Sequence, residues 1–210
     1  MSFSLEWQSC FSMAELREQF ILEEWVKHEH ERYGDLKILE IGSYQGQSTS
    51  LLAQFGTVLS IDLFGNVDRG DKENYEHIGT GHFKEFISNM IRLRLIDRVF
   101  PIVSTSEVLN QMPLMDFDII YIDGSHYEED VKKDINNSFR HLKGSGLMIC
   151  DDYQRPGRGY PGGDLNDPDY TLDPSKDPWI GVSRAVNEFV SLGEFGILDH
   201  KLGKVCIGRI

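Results

Sequence analysis

Short apolar runs separated by helical patterns extend along most of the chain. Five of these runs are nearly continuous, which is typical of parallel strands covered by helices on both faces. They span 36–41, 58–61, 98–103, 117–122 and 147–150. Two more runs, 195–198 and 204–208, are joined by Leu202 and Gly203 and predict a hairpin. The pattern predicts an α/β, doubly wound, Rossmann-like fold with a mostly parallel seven-stranded sheet and a C-terminal antiparallel hairpin.

Helical periodicity fills most of the segments between these runs. The first helix is predicted over residues 12–31, before the first strand. After the fourth strand, Ser125 and Glu128 match a capping box, which places His126 at the first position of the next helix. Pro101, which has no amide hydrogen, places the third strand at an edge of the sheet.

The segment from Leu36 to Asp62 combines a strand, a glycine turn, a helix and a second strand. Gly42 and Gly46 leave the backbone of the turn open to a ligand. Asp62 lies 22 positions after Glu40, where a carboxylate can accept hydrogen bonds from ribose hydroxyls. The turn lacks the third glycine of the dinucleotide-binding motif G-x-G-x-x-G, so it is not expected to bind a pyrophosphate well. A cofactor with a ribose and a positive charge fits better, and an ordinary strand–helix turn is the alternative.

Acidic side chains follow the fourth and fifth predicted strands, namely Asp123, Asp151 and Asp152. Because the carboxyl ends of parallel strands meet at one edge, we expect these carboxylates to converge on a ligand crevice. Crowded carboxylates favour a shared cation, and oxygen ligands suit Mg²⁺, with Ca²⁺ or Mn²⁺ as substitutes. His126, kept neutral by the helix N-terminus, is the candidate general base toward a substrate hydroxyl acidified by the metal. Each residue taken alone could equally be structural, and their joint placement favours the metal site.

Composition narrows the classes of partner. The formal net charge of −13 and a pI near 4.9 argue against nonspecific binding to nucleic acid or to an anionic membrane, which leaves small molecules. Cys10, Cys150 and Cys206 are widely spaced and indicate neither a disulfide framework nor a zinc site. The chain has no apolar stretch of about 18 residues and no signal-peptide pattern, so a cytoplasmic location is expected. Its 210 residues suit a single domain, 1–210.

Three motifs together resemble one enzyme family. EIGSYQGQST, IDGSHYEEDVKKDI and GLMICDDY are similar to class I S-adenosylmethionine (SAM)-dependent methyltransferases. They look like the sugar O-methyltransferases of the macrocin and mycinamicin type and the cephalosporin-biosynthesis methyltransferase-like proteins. The resemblance implies a SAM-dependent, Mg²⁺-dependent O-methyltransferase that acts on a small natural product, such as a sugar, a vicinal diol or a catechol. The N-terminus is shorter than in the macrolide enzymes, so a macrolide-sized acceptor is not expected.

The resemblance also assigns the site residues. It implies that Mg²⁺ is bound by Asp123, Asp151 and Asp152 and that His126 is the catalytic base. In the cofactor site, Glu40 is expected to face the ammonium group of SAM. The full set of implied cofactor-binding residues is Glu40, Gly42, Ser43, Gly46, Ser48, Asp62, Ser106 and Asp123.

Two segments outside these motifs have open roles. Residues 1–35 predict a helical cover, which in related enzymes shields the substrate or forms a dimer, so a homo-oligomer is one expectation. Residues 154–178 hold five of the seven prolines and predict either a lid over the substrate or a surface insertion.

Two rival functions stay open: a metal-independent methyltransferase and a non-catalytic SAM-binding accessory protein. A nicotinamide dehydrogenase is disfavoured by the missing glycine.

Overall fold

Seven strands form one sheet in the described part of the chain. The structure is a computed structural model, and it describes residues 8, 16–65, 82–153 and 178–210. The strands are β1 (Leu36–Ile41), β2 (Gly56–Asp62), β3 (Val99–Val103), β4 (Phe117–Ile122), β5 (Leu142–Cys150), β6 (Phe195–Lys201) and β7 (Lys204–Arg209). They pair in the order β3-β2-β1-β4-β5-β7-β6, in which β1 to β5 are parallel and β7 is antiparallel to both neighbours. The predicted doubly wound sheet, its C-terminal hairpin and the edge position of β3 are confirmed.

The described ranges also contain five α-helices. They are α1 (Leu16–Tyr33), α2 (Gln47–Leu52), α3 (His82–Arg92), α4 (Glu128–Ser138) and α5 (Pro178–Ser191), with short 3-10 helices at Ile96–Arg98, Ser106–Gln111 and Phe139–His141. Among these described helices, none is both long enough and apolar enough to cross a membrane. The helix predicted over 12–31 corresponds to α1, which ends at Tyr33, and residues 12–15 lie outside the described ranges. The predicted lid, 154–178, also lies outside them, except for Pro178 at the start of α5.

The predicted start of the helix after β4 is wrong. α4 begins at Glu128, and its N-cap is Tyr127, whose backbone is extended. Ser125 does not form the predicted capping box: its hydroxyl oxygen accepts a hydrogen bond from the Tyr127 amide at 3.3 Å, and the hydroxyl group donates one to the Asp130 carboxylate at 2.9 Å. His126 therefore lies in the loop between β4 and α4, and the argument that a helix N-terminus keeps its imidazole neutral does not apply.

Helices cover both faces of the sheet with apolar side chains. On one face, α1 and α3 pack Trp25 and Phe86 into a cluster with strand residues such as Ile38. On the other face, α4 and α5 pack Ile135 and Val186 into a second cluster with β4 and β5. A sheet buried on both faces accounts for the nearly continuous apolar runs of its central strands.

The strand register brings several strand ends to one edge of the sheet. Ile41 pairs with both Ile61 and Ile122, and Ile122 pairs with Cys150. Cys150 in turn pairs with Val205 of the antiparallel β7. The ends of β1, β2, β4 and β5 and the start of β7 therefore lie next to one another along this edge. The residues that flank these paired positions along the edge are Gly42, Asp62, Asp123, Asp151 and Lys204.

Candidate active site

The glycine turn after β1 packs directly against the end of β4. Gly42 has a φ of 90°, and a Cβ atom there would lie 2.1 Å from the Asp123 carbonyl oxygen. The amide of Asp123 donates a hydrogen bond to the Ile41 carbonyl at 2.8 Å. Gly46, with a φ of 89°, is the N-cap of α2, and a Cβ atom there would lie 2.7 Å from Met90 Cε. Only glycine allows both the backbone conformation and these close contacts.

Glu40 lies beneath this turn and is fully buried. Its Oε1 accepts a hydrogen bond from Ser48 Oγ at 2.6 Å, and its Oε2 accepts one from Thr49 Oγ1. Burial raises the pKa of Glu40 to about 7, although the hydrogen bonds from Ser48 and Thr49 oppose this change. The carboxyl group therefore holds the first turn of α2, and its contact with Thr49 was not predicted from the sequence.

Asp62 organises the other side of the turn. Its Oδ2 accepts hydrogen bonds from the amides of Ser43 at 2.6 Å and Tyr44 at 2.8 Å, and its Oδ1 accepts one from the amide of Phe64 at 2.5 Å. Ser43 is buried, and its hydroxyl group bonds the hydroxyl group of Ser60. The partly buried Asp62 carboxylate has about four acceptor sites, of which about one remains for the expected contact with a ribose.

Ser106 lies at the start of the 3-10 helix that follows β3. It is buried, and its hydroxyl group accepts a hydrogen bond from Asn137 Nδ2 of α4 at 3.0 Å. The contact ties the segment after β3 to α4 and holds the predicted cofactor-binding residue Ser106 at a defined place. Its role toward the cofactor stays a prediction.

Glu40→Gln is expected to remove part of the pH dependence of stability in the cofactor-free protein. The pKa of about 7 in the folded protein lies above the ordinary value of 4.5, so the unfolded chain loses this proton first. The contribution of Glu40 to the free energy of unfolding is therefore fully present below pH 4.5 and is lost as the pH rises through about 7. The loss amounts to about 3 kcal/mol.

Urea unfolding at pH 5 and pH 8 measures this effect. The wild type should lose more stability than Glu40→Gln between the two values. Glu24→Gln, which changes an exposed glutamate of α1, is the control and should behave as the wild type does. The same pH dependence in wild type and Glu40→Gln would contradict the assignment.

Three side chains converge where β4 and β5 end. The potential ligand atoms of Asp123, His126 and Asp152 all lie within 4.8 Å of one another. His126 Nε2 is 2.9 Å from Asp152 Oδ2. Burial, followed by the charges of Asp151 and Asp152, raises the pKa of Asp123 well above its usual value. A bound cation would relieve this crowding of negative charge.

The backbone of Asp152 is unusual and directs its side chain into this group. Its φ is 61°, in the left-handed region that aspartate and asparagine tolerate better than most residues. The residue is nevertheless buried, next to Asp151 at the end of β5. Such a conformation in a buried position is a common feature of functional sites.

Asp151, the third predicted metal ligand, contacts groups of the protein itself, and its role toward a metal stays a prediction. Its Oδ2 accepts hydrogen bonds from Lys204 Nζ at 2.5 Å and from Tyr121 OH at 2.8 Å, and its Oδ1 accepts one from the Asp152 amide at 2.9 Å. Although burial opposes ionisation, the charge and hydrogen bond of Lys204 hold the pKa of Asp151 below its usual value. The group of three potential ligands therefore contains His126 in the place predicted for Asp151.

Three contributors to the site were not identified from the sequence. Lys204 begins the predicted strand 204–208 and had no predicted role in the site, yet its side chain is fully buried. Tyr121 looked like an ordinary core residue of β4, yet its hydroxyl group lies 3.1 Å from Asp123 Oδ2. At Gly181 of α5, a Cβ atom would lie 2.4 Å from the His126 carbonyl oxygen, so the helix packs directly on the His126 loop.

Comparisons with known proteins agree with this geometry. A protein-family model described as "Methyltransferase domain" matches residues 39–153. An uncharacterized protein of Acanthamoeba polyphaga mimivirus is 30% identical over an alignment of 126 residues, and the match covers 57% of this chain and 52% of the relative. The chain thus spans about half the length of that curated relative.

Solved structures share the fold. An O-methyltransferase from Bacillus cereus in complex with S-adenosylhomocysteine (SAH) has a TM-score of 0.66 at 18% identity, over 93% of this chain and 82% of that one. The O-methyltransferase TomG from Streptomyces achromogenes, in complex with SAM, has a TM-score of 0.64 at 15% identity, over 93% and 81%. At these identities the likeness establishes the fold.

Proposed function

We propose that this chain, which belongs to the methyltransferase domain family, transfers a methyl group from SAM to a hydroxyl group of a small molecule with the help of a divalent cation. The observation that carries the proposal is the group formed by Asp123, His126 and Asp152, which lies next to the glycine turn at the carboxyl edge of the sheet. The family match over residues 39–153 includes both the turn and this group. The names of the fold relatives from Bacillus cereus and Streptomyces achromogenes support oxygen as the methyl acceptor.

The glycine turn and its neighbours suit SAM. Gly42 and Gly46 adopt the left-handed conformation that brings the turn close to Asp123 and to Met90 of α3, and Asp62 offers a remaining acceptor site to a ribose. Glu40 places a buried carboxyl group beneath the turn, where it favours a cofactor that carries a positive charge. SAM would supply a methyl group bonded to a positively charged sulfur. The residues around it position that group and exclude water.

The residues at the ends of β4 and β5 fit a divalent cation. Asp123 and Asp152 offer two carboxylates, and His126 offers an imidazole nitrogen, all within 4.8 Å of one another. A cation bound there would act as a Lewis acid that lowers the pKa of the acceptor hydroxyl group. Asp151 would help to position Asp152, because its Oδ1 accepts a hydrogen bond from the Asp152 amide.

His126 has a different role in this proposal from the one inferred from the sequence. His126 Nε2 lies 2.9 Å from Asp152 Oδ2, so the imidazole and the carboxylate can bind the same cation. We therefore assign His126 to the ligand group rather than to proton abstraction. The general-base role remains the alternative, in which Nδ1 would accept the proton while Asp152 orients the ring through Nε2.

The expected acceptors are small hydroxylated molecules. Sugars, vicinal diols and catechols present two neighbouring oxygens, which a hard divalent cation can bind together. The net charge of −13 disfavours polyanionic acceptors such as nucleic acids. The acceptor class therefore follows from the cation and from the charge of the chain.

Metal removal tests the proposal. After EDTA treatment and dialysis, transfer of a labelled methyl group from SAM to a panel of sugars and catechols should fall to background, and adding back a divalent cation should restore it. Transfer that is indifferent to EDTA would favour the metal-independent methyltransferase. Tight SAM binding without transfer to any acceptor would favour an accessory protein.

A further inference from the structure

Lys204 places a buried positive charge beside the candidate metal site. Its side chain is fully buried, and its Nζ donates hydrogen bonds to Asp151 Oδ2 at 2.5 Å and to Tyr121 OH at 3.1 Å. A buried ammonium group requires a compensating negative charge, and Asp151 supplies it. Lys204 and Asp151 therefore form an ion pair within the protein that needs no external cation.

This ion pair uses Asp151 in a way that disfavours metal coordination. Both carboxylate oxygens already accept hydrogen bonds, Oδ2 from Lys204 and Tyr121 and Oδ1 from the Asp152 amide. A divalent cation bound to the same carboxylate would approach the Lys204 ammonium group closely, and the two positive charges would repel each other in a site shielded from water. The cation is left with the two carboxylates of Asp123 and Asp152, whose charges balance it, and with His126.

We propose that Lys204 sets the metal preference of the site by withholding Asp151, so that two carboxylates and one imidazole select a first-row transition ion over Mg²⁺. Imidazole nitrogen suits ions such as Co²⁺ and Zn²⁺, and Mn²⁺ accepts a mixed set, whereas Mg²⁺ prefers an octahedron of oxygen ligands. The inference rests on the divalent cation of the proposed function and goes beyond it, because it names the class of ion and the residues that choose it.

Metal binding to the full chain tests the preference without any assay of turnover. Calorimetric titration of EDTA-treated, dialysed protein should give a dissociation constant for Co²⁺ that is lower than that for Mg²⁺ by about 100-fold. His126→Ala should weaken Co²⁺ binding by about 10- to 100-fold, change Mg²⁺ binding much less, and alter the visible absorption of the bound Co²⁺. Equal affinities for the two ions, or a Co²⁺ spectrum unchanged by His126→Ala, would overturn the inference.

A double variant separates the two candidate ligand sets. Asp151→Asn/Lys204→Met removes the buried ion pair without leaving an unpaired charge, and it should keep the preference for Co²⁺ because position 151 again offers no carboxylate to the ion and the group of Asp123, His126 and Asp152 is unchanged. If Asp151 is a ligand, the double variant will lose Co²⁺ affinity as strongly as His126→Ala does, which contradicts the proposal. Mg²⁺ bound as tightly as Co²⁺ overturns the inference and leaves the proposed function intact. Failure to bind Mg²⁺, Mn²⁺ or Co²⁺ at all overturns both.

Discussion

Asp152→Asn is expected to lower the rate of methyl transfer by about 1000-fold while leaving the affinity for SAM nearly unchanged. The change removes one of the two negative charges that would hold the cation, at a carboxylate 2.9 Å from His126 Nε2. Asparagine tolerates the left-handed backbone that Asp152 adopts at a φ of 61°, so the variant changes the charge without straining the turn. Single-turnover rates with labelled SAM and calorimetric SAM binding measure the two quantities.

Asp116→Asn is the matched control for this variant. Asp116 is also an aspartate in the left-handed region, with a φ of 52°, but it is exposed and precedes β4 at the opposite end of the strand. It should leave both the rate and the SAM affinity as in the wild type. A parallel loss of rate and SAM affinity in Asp152→Asn would indicate damage to the cofactor site and would contradict the role assigned to the carboxylate.

Lys204→Met is expected to lower the free energy of unfolding of the metal-free protein by about 3 to 5 kcal/mol. The large effect arises because the Asp151 carboxylate, which is 4% exposed, would lose the ammonium group at 2.5 Å that compensates its charge. The double variant Asp151→Asn/Lys204→Met should recover most of the loss, since it leaves no unpaired buried charge. Urea unfolding of the metal-free proteins provides the measurement.

Lys201→Met in the same hairpin is the control for the lysine change. The Lys201 side chain is 42% exposed, and its ion pairs with Glu24 and Asp199 lie at the surface. The change should therefore have little effect on the free energy of unfolding. If Lys204→Met were as mild as this control, or if the double variant were no more stable than Lys204→Met, the buried ion pair would not have the importance given to it here.

Local pattern and topology were sufficient to predict the sheet and the glycine turn. The apolar runs that became β1 and β4 are buried on both faces, and their parallel pairing carries Gly42 and Asp123 to the same edge. The resemblance to methyltransferases drawn from these motifs is confirmed by the family match over residues 39–153. These features could be predicted because each depends mainly on the residues within a short segment.

The charge balance of the site depends on a distant contact and could not be predicted. Lys204 reaches Asp151 because the antiparallel pairing of Cys150 with Val205 places the start of β7 beside the end of β5. The sequence shows three acids and no cation near them, so crowding seemed to demand a metal for all three. In the structure Asp123 and Asp152 remain close to each other and to His126, whereas the charge of Asp151 is compensated by Lys204.

The local environment of His126 also depends on tertiary packing. The Ser-x-x-Glu pattern is compatible with a capping box, but Ser125 donates to Asp130 instead, so α4 begins two residues later than predicted. The close approach of Gly181 then fixes the His126 loop against α5. Neither contact leaves a signal in the sequence around His126.

The most direct test of the account is a crystal structure of the chain grown with SAH and Mn²⁺, with anomalous scattering used to locate the metal. We expect SAH on the glycine turn at Gly42 and a single manganese peak bound by Asp123, His126 and Asp152, with Lys204 still paired to Asp151. A peak coordinated by Asp151, the absence of any peak at this edge of the sheet, or SAH bound away from the turn would contradict it.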